Sequence, residues 1–224
     1  MANTLKMLAI FHKHFRSQFR EGLVAVRKAY PHLTFQLLNR TPGCVTTGPF
    51  ANRVVSMGLG ASTEYTPHCL RRDMSPQLVS HAMSTQNINK AINSANFYDF
   101  NFNMQGTGLD VSGMTIHAGL HLGLGGQVGE SSDMFSSPGD PAFWFIHGAM
   151  DQMWDKWQRK SWSQRKLDYS GPVEMFAYPF NFQGDFPYTN VTLDYQLAFP
   201  NFGANVKIRD VMDTAAPNLC YKYT

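Results

Sequence analysis

Long apolar runs, paired cysteines and charge are all scarce in this chain, and each shortage removes a class of protein. The longest apolar stretch near the start, Met7 to Phe11, ends at His12, far short of the ~20 residues that span a bilayer. Lys13, Arg16 and Arg20 follow at once with no small-residue cleavage site, so neither a membrane span nor a cleavable secretion signal is read there. The three cysteines, Cys44, Cys69 and Cys220, include no C-x-x-C pair, which excludes a disulfide scaffold and argues against a thiolate zinc site. One bridge, for instance Cys44 with Cys69, stays open. Only 16% of residues are charged while 43% are hydrophobic, so the chain can bury a core and is not disordered. At 224 residues it fits one domain, or a domain with an appendage.

Acidic residues are nearly missing from the first forty positions. Lys6, Lys13, Arg16, Arg20, Arg27, Lys28 and Arg40 stand there against Glu21 alone, whereas residues 41–224 are mildly acidic. A basic leader on an acidic body, with no nucleic-acid motif, does not describe a nucleic-acid binder. The expected division is therefore a basic helical leader over 1–40 and a body over 41–224. The sequons at Asn39 and Asn190 matter only in a secretory pathway; localisation is not otherwise legible.

The fold class expected is mainly α, a helical bundle with long loops and minor β-structure in the C-terminal third. Residues 5–30 alternate apolar and basic positions as one amphipathic helix ending before Pro31. Thr41 to Pro76 reads as loop, and 76–105 as one or two short helices. A further helix surrounds His117 and His121 and is stopped by Gly123, Gly125 and Gly126. The strongest helix signal begins at Asp140, a good N-cap, followed by Pro141, which suits the first helical position. Phe143, Ile146, Met150, Met153, Trp154 and Trp157 then recur at spacings of three and four. Lys156, Arg159 and Lys160 crowd the far end, where the helix dipole favours cations.

Of eight histidines, His117 and His121 stand four apart on an expected helix, which places both imidazoles on one face, able to bind one ion. His147 lies on the apolar face of the next helix, where a buried imidazole needs a partner. A metal is one candidate and Asp151, four residues on, is another; a metal-free His147–Asp151 pair remains the plainer alternative. A zinc-protease motif would need Glu directly after the first histidine, and Ala118 stands there. Three neutral imidazoles without a carboxylate suit zinc or copper. The glycine-rich stretch Gly123 to Gly129 lacks a preceding strand and a P-loop lysine, so it reads as a loop, and no Ser-His-Asp set or dinucleotide fingerprint competes.

The stretch HAGLH…GGQVGESSDMFSSPGDPAFWFIHGAMDQMWDKWQ, His117 to Gln158, resembles the copper-B region of tyrosinases and related type 3 copper proteins. GCVTTGPFAN, CLRRDMSP and KIRDVMDT are similar to segments of fungal tyrosinase-like proteins, and Tyr221-Lys222-Tyr223 resembles the Tyr-x-Tyr mark that closes the family's catalytic domain. The resemblance implies copper ligands His117, His121 and His147, with Asp151 as the aspartate behind them. Two departures stand out: Ile146 occupies the first of two usually adjacent histidines, and Gln152 stands where Arg often follows the aspartate. Family members bind a second copper, copper-A, through three more histidines. FHKHFRSQFREGL, Phe11 to Leu23, offers the nearest match and makes His12 the candidate ligand, but Asn3 stands where the preceding ligand belongs and the first would precede Met1. His14 and His32 have no matching context.

The resemblance implies a tyrosinase-like copper oxidoreductase that takes small phenols or catechols to o-quinones with O2. Phe143, Trp144 and Met150 would be walls of such a site, and Asp110, Glu130 and Asp133 candidate bases near it. The alternatives are a truncated or degenerate member holding one metal ion without oxidase activity, and a metal-free helical domain. On the oxidoreductase reading, an upstream segment carrying the missing histidines is expected.

Overall fold

In a computed structural model of the chain, residues 43–60, 62–106, 113–133, 135–173, 189–199 and 203–223 are described. The helix expected over 5–30, the leader, His12, His14, His32, Asn39 and Asp110 lie outside them. Helices carry the described fold: α1 (Pro76–Ala82), α2 (Thr85–Ile92), α3 (Phe97–Gln105), α4 (Ile116–Gly125), α5 (Ala142–Arg159) and α6 (Trp162–Arg165). The mainly helical expectation holds, and 76–105 resolves into three short helices. Each is started by a side chain the sequence supplies. Ser75 accepts the Leu78 N–H with Pro76 behind it, Ser84 accepts that of Asn87, and Asn96 that of Asp99.

Helix α5 follows the same rule at the position expected. The Asp140 carboxylate accepts the Ala142 N–H at 2.9 Å and its carbonyl accepts the Phe143 N–H at 2.9 Å. Its apolar stripe then meets α2, α3 and α4 in one cluster of Ala91, Phe97, Phe100, Met104, Ile116, Met153 and Trp157. Trp157 is fully buried, stacks on Phe100 at 5.3 Å and donates its indole N–H to the Ser94 carbonyl at 2.9 Å. A buried indole with its polar edge satisfied gives up none of its burial energy. Helix α4 packs against α1 so closely that a Cβ on Gly119 would meet the Ala82 Cβ at 2.5 Å, and it ends where Gly126 adopts a φ of 59°.

The β-structure is distributed differently from the expectation at one end. The C-terminal third does hold a short antiparallel pair, β5 (Gln196–Leu197) with β6 (Val206–Lys207). The segment read as loop, however, contains two more: β1 (Gly43–Cys44) pairs with β4 (Arg71–Arg72), and β2 (Val54–Met57) with β3 (Tyr65–Cys69). Gly, Pro and Thr interrupt the alternation that marks a strand, and the pairing is secured across the sequence instead. The register puts Val54 opposite Cys69 and Cys44 opposite Arg71. Cys44 and Cys69 form a disulfide with Cα atoms 5.5 Å apart, which answers the pairing the sequence left open.

Closing a loop with a sequence separation of 25 restricts the unfolded chain, so replacing both Cys44 and Cys69 by Ala is expected to cost about 3 kcal/mol of stability. Equilibrium denaturation of the oxidised protein and the double variant measures it; an unchanged midpoint would show that the bridge contributes nothing.

Candidate metal centre

The helix spacing read from sequence brings the imidazoles together as expected. His117 and His121 project from α4 and His147 from the first turns of α5. One ligand-capable atom from each lies within 4.8 Å of the others. The rings meet edge to face: the centroids of His117 and His121 are 4.7 Å apart, those of His117 and His147 5.1 Å and those of His121 and His147 5.3 Å. The Nε2 atoms of His121 and His147 are 3.2 Å apart. Three nitrogens bound to one ion at about 2.0 Å in a tetrahedral arrangement stand roughly 3.3 Å from each other; the His121–His147 pair already has that spacing, and the His117 atom lies within 4.8 Å of both. No second group of three potential ligands is found among the described residues.

Electrostatics prepares the set to donate lone pairs. Burial pushes the His117 imidazole down from 6.5 to about 3, helped by the neighbouring His121 and His147. Burial also lowers His121, against the opposing pull of the Ser131 carbonyl and Asp140, and lowers His147 with a further contribution from His121. All three rings are therefore neutral at neutral pH, the form that binds metal. A neutral nitrogen set with no carboxylate suits copper or zinc and suits magnesium or calcium poorly.

Two neighbours that the sequence did not reveal fix the rings. The His117 Nδ1–H donates to the Gln105 Oε1 at 2.5 Å, and the His121 Nδ1–H donates to the Ser131 carbonyl at 2.7 Å. With Nδ1 carrying the proton, Nε2 is left with its lone pair toward the cluster, the arrangement by which outer partners orient metal-binding histidines. Gln105 sits at the end of α3 and Ser131 acts through its backbone, so neither carried a motif.

The remaining sequence candidates separate. Phe143 lies with its ring centroid 4.0 Å from that of His147 and 5.9 Å from that of His121, so it walls the cluster. Trp144 touches Phe143 but is 66% exposed, and Met150 packs on the helical core. Glu130 and Asp133 are held by the fold. Glu130 is fully buried against His68 and Arg71, and Asp133 accepts from the backbone of Gly60, Phe135 and Ser136. The Asp151 Oδ2 accepts the hydroxyls of Tyr221 at 2.6 Å and Tyr223 at 2.5 Å. Asp151 and the Tyr-x-Tyr mark were both legible, but their contact joins residues 70 positions apart and left no periodicity to read.

Two hydroxyls on one carboxylate pin the C-terminal segment to α5. Burial first, and then Asp151, pushes the Tyr221 hydroxyl up from 10 to about 12, and the same causes raise Tyr223. A raised folded value means that the clamp's contribution is complete below pH 10 and is lost as pH rises through about 12. In an ultraviolet phenolate titration, an Asp151→Asn variant is expected to ionise these tyrosines at lower pH than the parent protein. Identical titration curves would contradict the clamp.

With this geometry in view, comparison with known proteins is specific. The family model for the common central domain of tyrosinase matches residues 13–160, more than half of the chain. The oxidase hkm6 of Aspergillus hancockii is 27% identical over 195 residues, covering 81% of this chain and 65% of the relative. The N-acetyl-6-hydroxytryptophan oxidase ivoB of Emericella nidulans is 30% identical over 207 residues, covering 82% and 53%. A solved variant of a polyphenol oxidase from Thermothelomyces thermophila superposes with a TM-score of 0.66 at 26% identity, covering 81% of this chain and 51% of its own. The chain thus spans between about half and two thirds of the length of these relatives. On the family match, the fold and the three-histidine cluster, the chain belongs to the tyrosinase family of type 3 copper proteins.

Proposed function

We propose that the body of this chain, residues 41–224, is a copper-binding domain that holds one ion at His117, His121 and His147. The convergence of three neutral imidazoles, two with Nδ1 already committed to fixed acceptors, carries this reading. Copper, when bound, supplies redox chemistry and a position for O2. The protein's own part is to present three nitrogen lone pairs in a fixed geometry and to shield them. Gln105 and Ser131 set the ring orientations. Phe143 covers the His147 face and keeps water from that side.

The second reading is a binuclear oxidoreductase converting phenols or catechols to o-quinones with O2. It is supported by a family match that begins at residue 13 and by relatives named as oxidases and tyrosinases. That reaction needs a second set of nitrogen ligands besides the cluster on α4 and α5, and small phenols and O2 are then the partners. Neither reading involves a nucleic acid, and no described helix is long and apolar enough to cross a membrane.

Copper per chain, measured by elemental analysis after loading and desalting, together with catechol oxidation, separates the readings. One copper and no quinone supports the single-ion domain, whereas two coppers and quinone formation support the oxidase. On either, His121→Ala is expected to remove the ion held on α4 and α5. Unchanged copper content in that variant would overturn the ligand assignment.

A further inference from the structure

Glu130 is fully buried, with a relative exposure of 0%, yet it touches none of the three histidines in the cluster. Its Oε2 accepts the Arg71 backbone N–H at 2.6 Å, and its Oε1 accepts from the Arg71 guanidinium at 3.3 and 3.2 Å. The His68 ring bridges the same Oε1, 2.9 Å from its Nε2, and the Thr66 carbonyl, 2.6 Å from its Nδ1. Glu130 therefore ties the 3-10 turn Glu130–Ser132 to β3 and β4 through both faces of its carboxylate. The very next residue, Ser131, aims its carbonyl at the His121 Nδ1.

We propose that Glu130 is a positioning residue for His121. By locking the turn against β4 it holds the Ser131 carbonyl where that oxygen fixes the His121 Nδ1–H tautomer and turns Nε2 toward His147. The turn has little other freedom. A Cβ on Gly129 would lie 2.5 Å from the Gly125 carbonyl and 2.8 Å from that of Arg71, so the peptide before Glu130 is wedged between the end of α4 and β4. Within the turn, the Ser132 hydroxyl donates to the Gly129 carbonyl at 2.9 Å and the Asp133 N–H to the Glu130 carbonyl at 3.0 Å. A buried carboxylate paired with Arg71 resists displacement because separating the pair strands a charge. The chain of contact runs from Arg71 and His68 to Glu130, across one peptide to Ser131, and on to His121. An outer partner placed this way orients a metal-binding imidazole without touching the ion.

The consequence for metal rests on the copper reading, whereas the tautomer does not, so the test carries both. Imidazole nitrogen NMR of the metal-free protein is expected to show His121 as the Nδ1–H tautomer. In Glu130→Gln, and more mildly in Arg71→Gln should the first variant fold poorly, the Nε2–H form is expected to appear. Copper(II) affinity, measured by competition with a chelator, is expected to fall about tenfold or more in the same variants. Asp155→Asn is the control, since Asp155 is a comparably buried carboxylate bound to Arg159 and Thr214 at the far end of α5. At a similar loss of thermal stability it is expected to keep the parent affinity within about twofold and the parent tautomer. An unchanged His121 tautomer in the Glu130 and Arg71 variants, or equal affinity losses in those variants and Asp155→Asn, would overturn the proposal. If the parent protein takes up no copper, the copper reading falls, and the tautomer comparison alone decides the role of Glu130.

Discussion

Arg71 and Arg72 stand side by side on β4, and each is bound to a carboxylate that no solvent reaches. Arg71 holds Glu130, and Arg72 grips Asp140 through two near-parallel contacts, Nε to Oδ2 at 2.8 Å and Nη2 to Oδ1 at 2.6 Å. A bidentate guanidinium–carboxylate pair fixes orientation as well as distance. Breaking a buried pair of this kind typically costs about 3–5 kcal/mol, because the partner left behind is charged and unsolvated. The histidine centre depends on both pairs. One sets the turn that supplies the His121 acceptor, and the other sets the residue that starts α5, two turns before His147. The Asp140 carboxylate thus has two tasks, an ion pair with β4 and the cap of the helix that brings the third imidazole.

The strand that carries these arginines is itself short and would be insecure alone. β4 is two residues long and, among the described residues, its strand partner is the two-residue β1. Its position is fixed by the disulfide from Cys44 on β1, opposite Arg71, to Cys69 at the end of β3 just before it, and by the pairing of β2 with β3. At the opposite end of α5, the helical core around Trp157 and the tyrosine clamp on Asp151 do the same work. Helix α5 is held at its start by an ion pair, along its length by apolar burial and on its outer face by the C-terminal segment. Burial keeps the three imidazoles neutral, and the acceptors on Gln105 and Ser131 offset part of its cost while fixing two of the rings.

What was legible in the sequence is what repeats within a few residues. The cap at Asp140 and Pro141, the spacing of His117 and His121, and the apolar stripe from Phe143 to Trp157 are local patterns, and each has the structural meaning its chemistry implies. The stop expected from Gly123, Gly125 and Gly126 comes at Gly126 alone: Gly123 and Gly125, read as the start of a loop, lie inside α4. What was not legible depends on contacts between distant positions. Glu130 and Asp133 looked like free acids beside a reactive centre, and their partners, Arg71 and the backbone of Gly60, Phe135 and Ser136, show them to be structural. Asp151 was set beside His147 by helical spacing, while its hydroxyl partners come from Tyr221 and Tyr223. The strands of 43–72 were hidden because β1 and β4 are two residues each, and the longer β2 and β3 are mostly exposed, with Pro67 inside β3, so none carries an apolar alternation. Ser131 acts through a carbonyl that every residue possesses, and such a role leaves no mark in composition.

The central claim is that α4 and α5 form a three-imidazole copper site whose ring orientations are set before the ion arrives. X-ray absorption at the copper edge, on protein loaded with one equivalent and compared with the His147→Ala variant, tests it most directly. The account predicts three imidazole nitrogens at about 2.0 Å around the ion, and in the variant either loss of the ion, as in His121→Ala, or one imidazole fewer with a solvent oxygen in its place. An ion surrounded mainly by oxygen, or a spectrum identical in the two proteins, would contradict it.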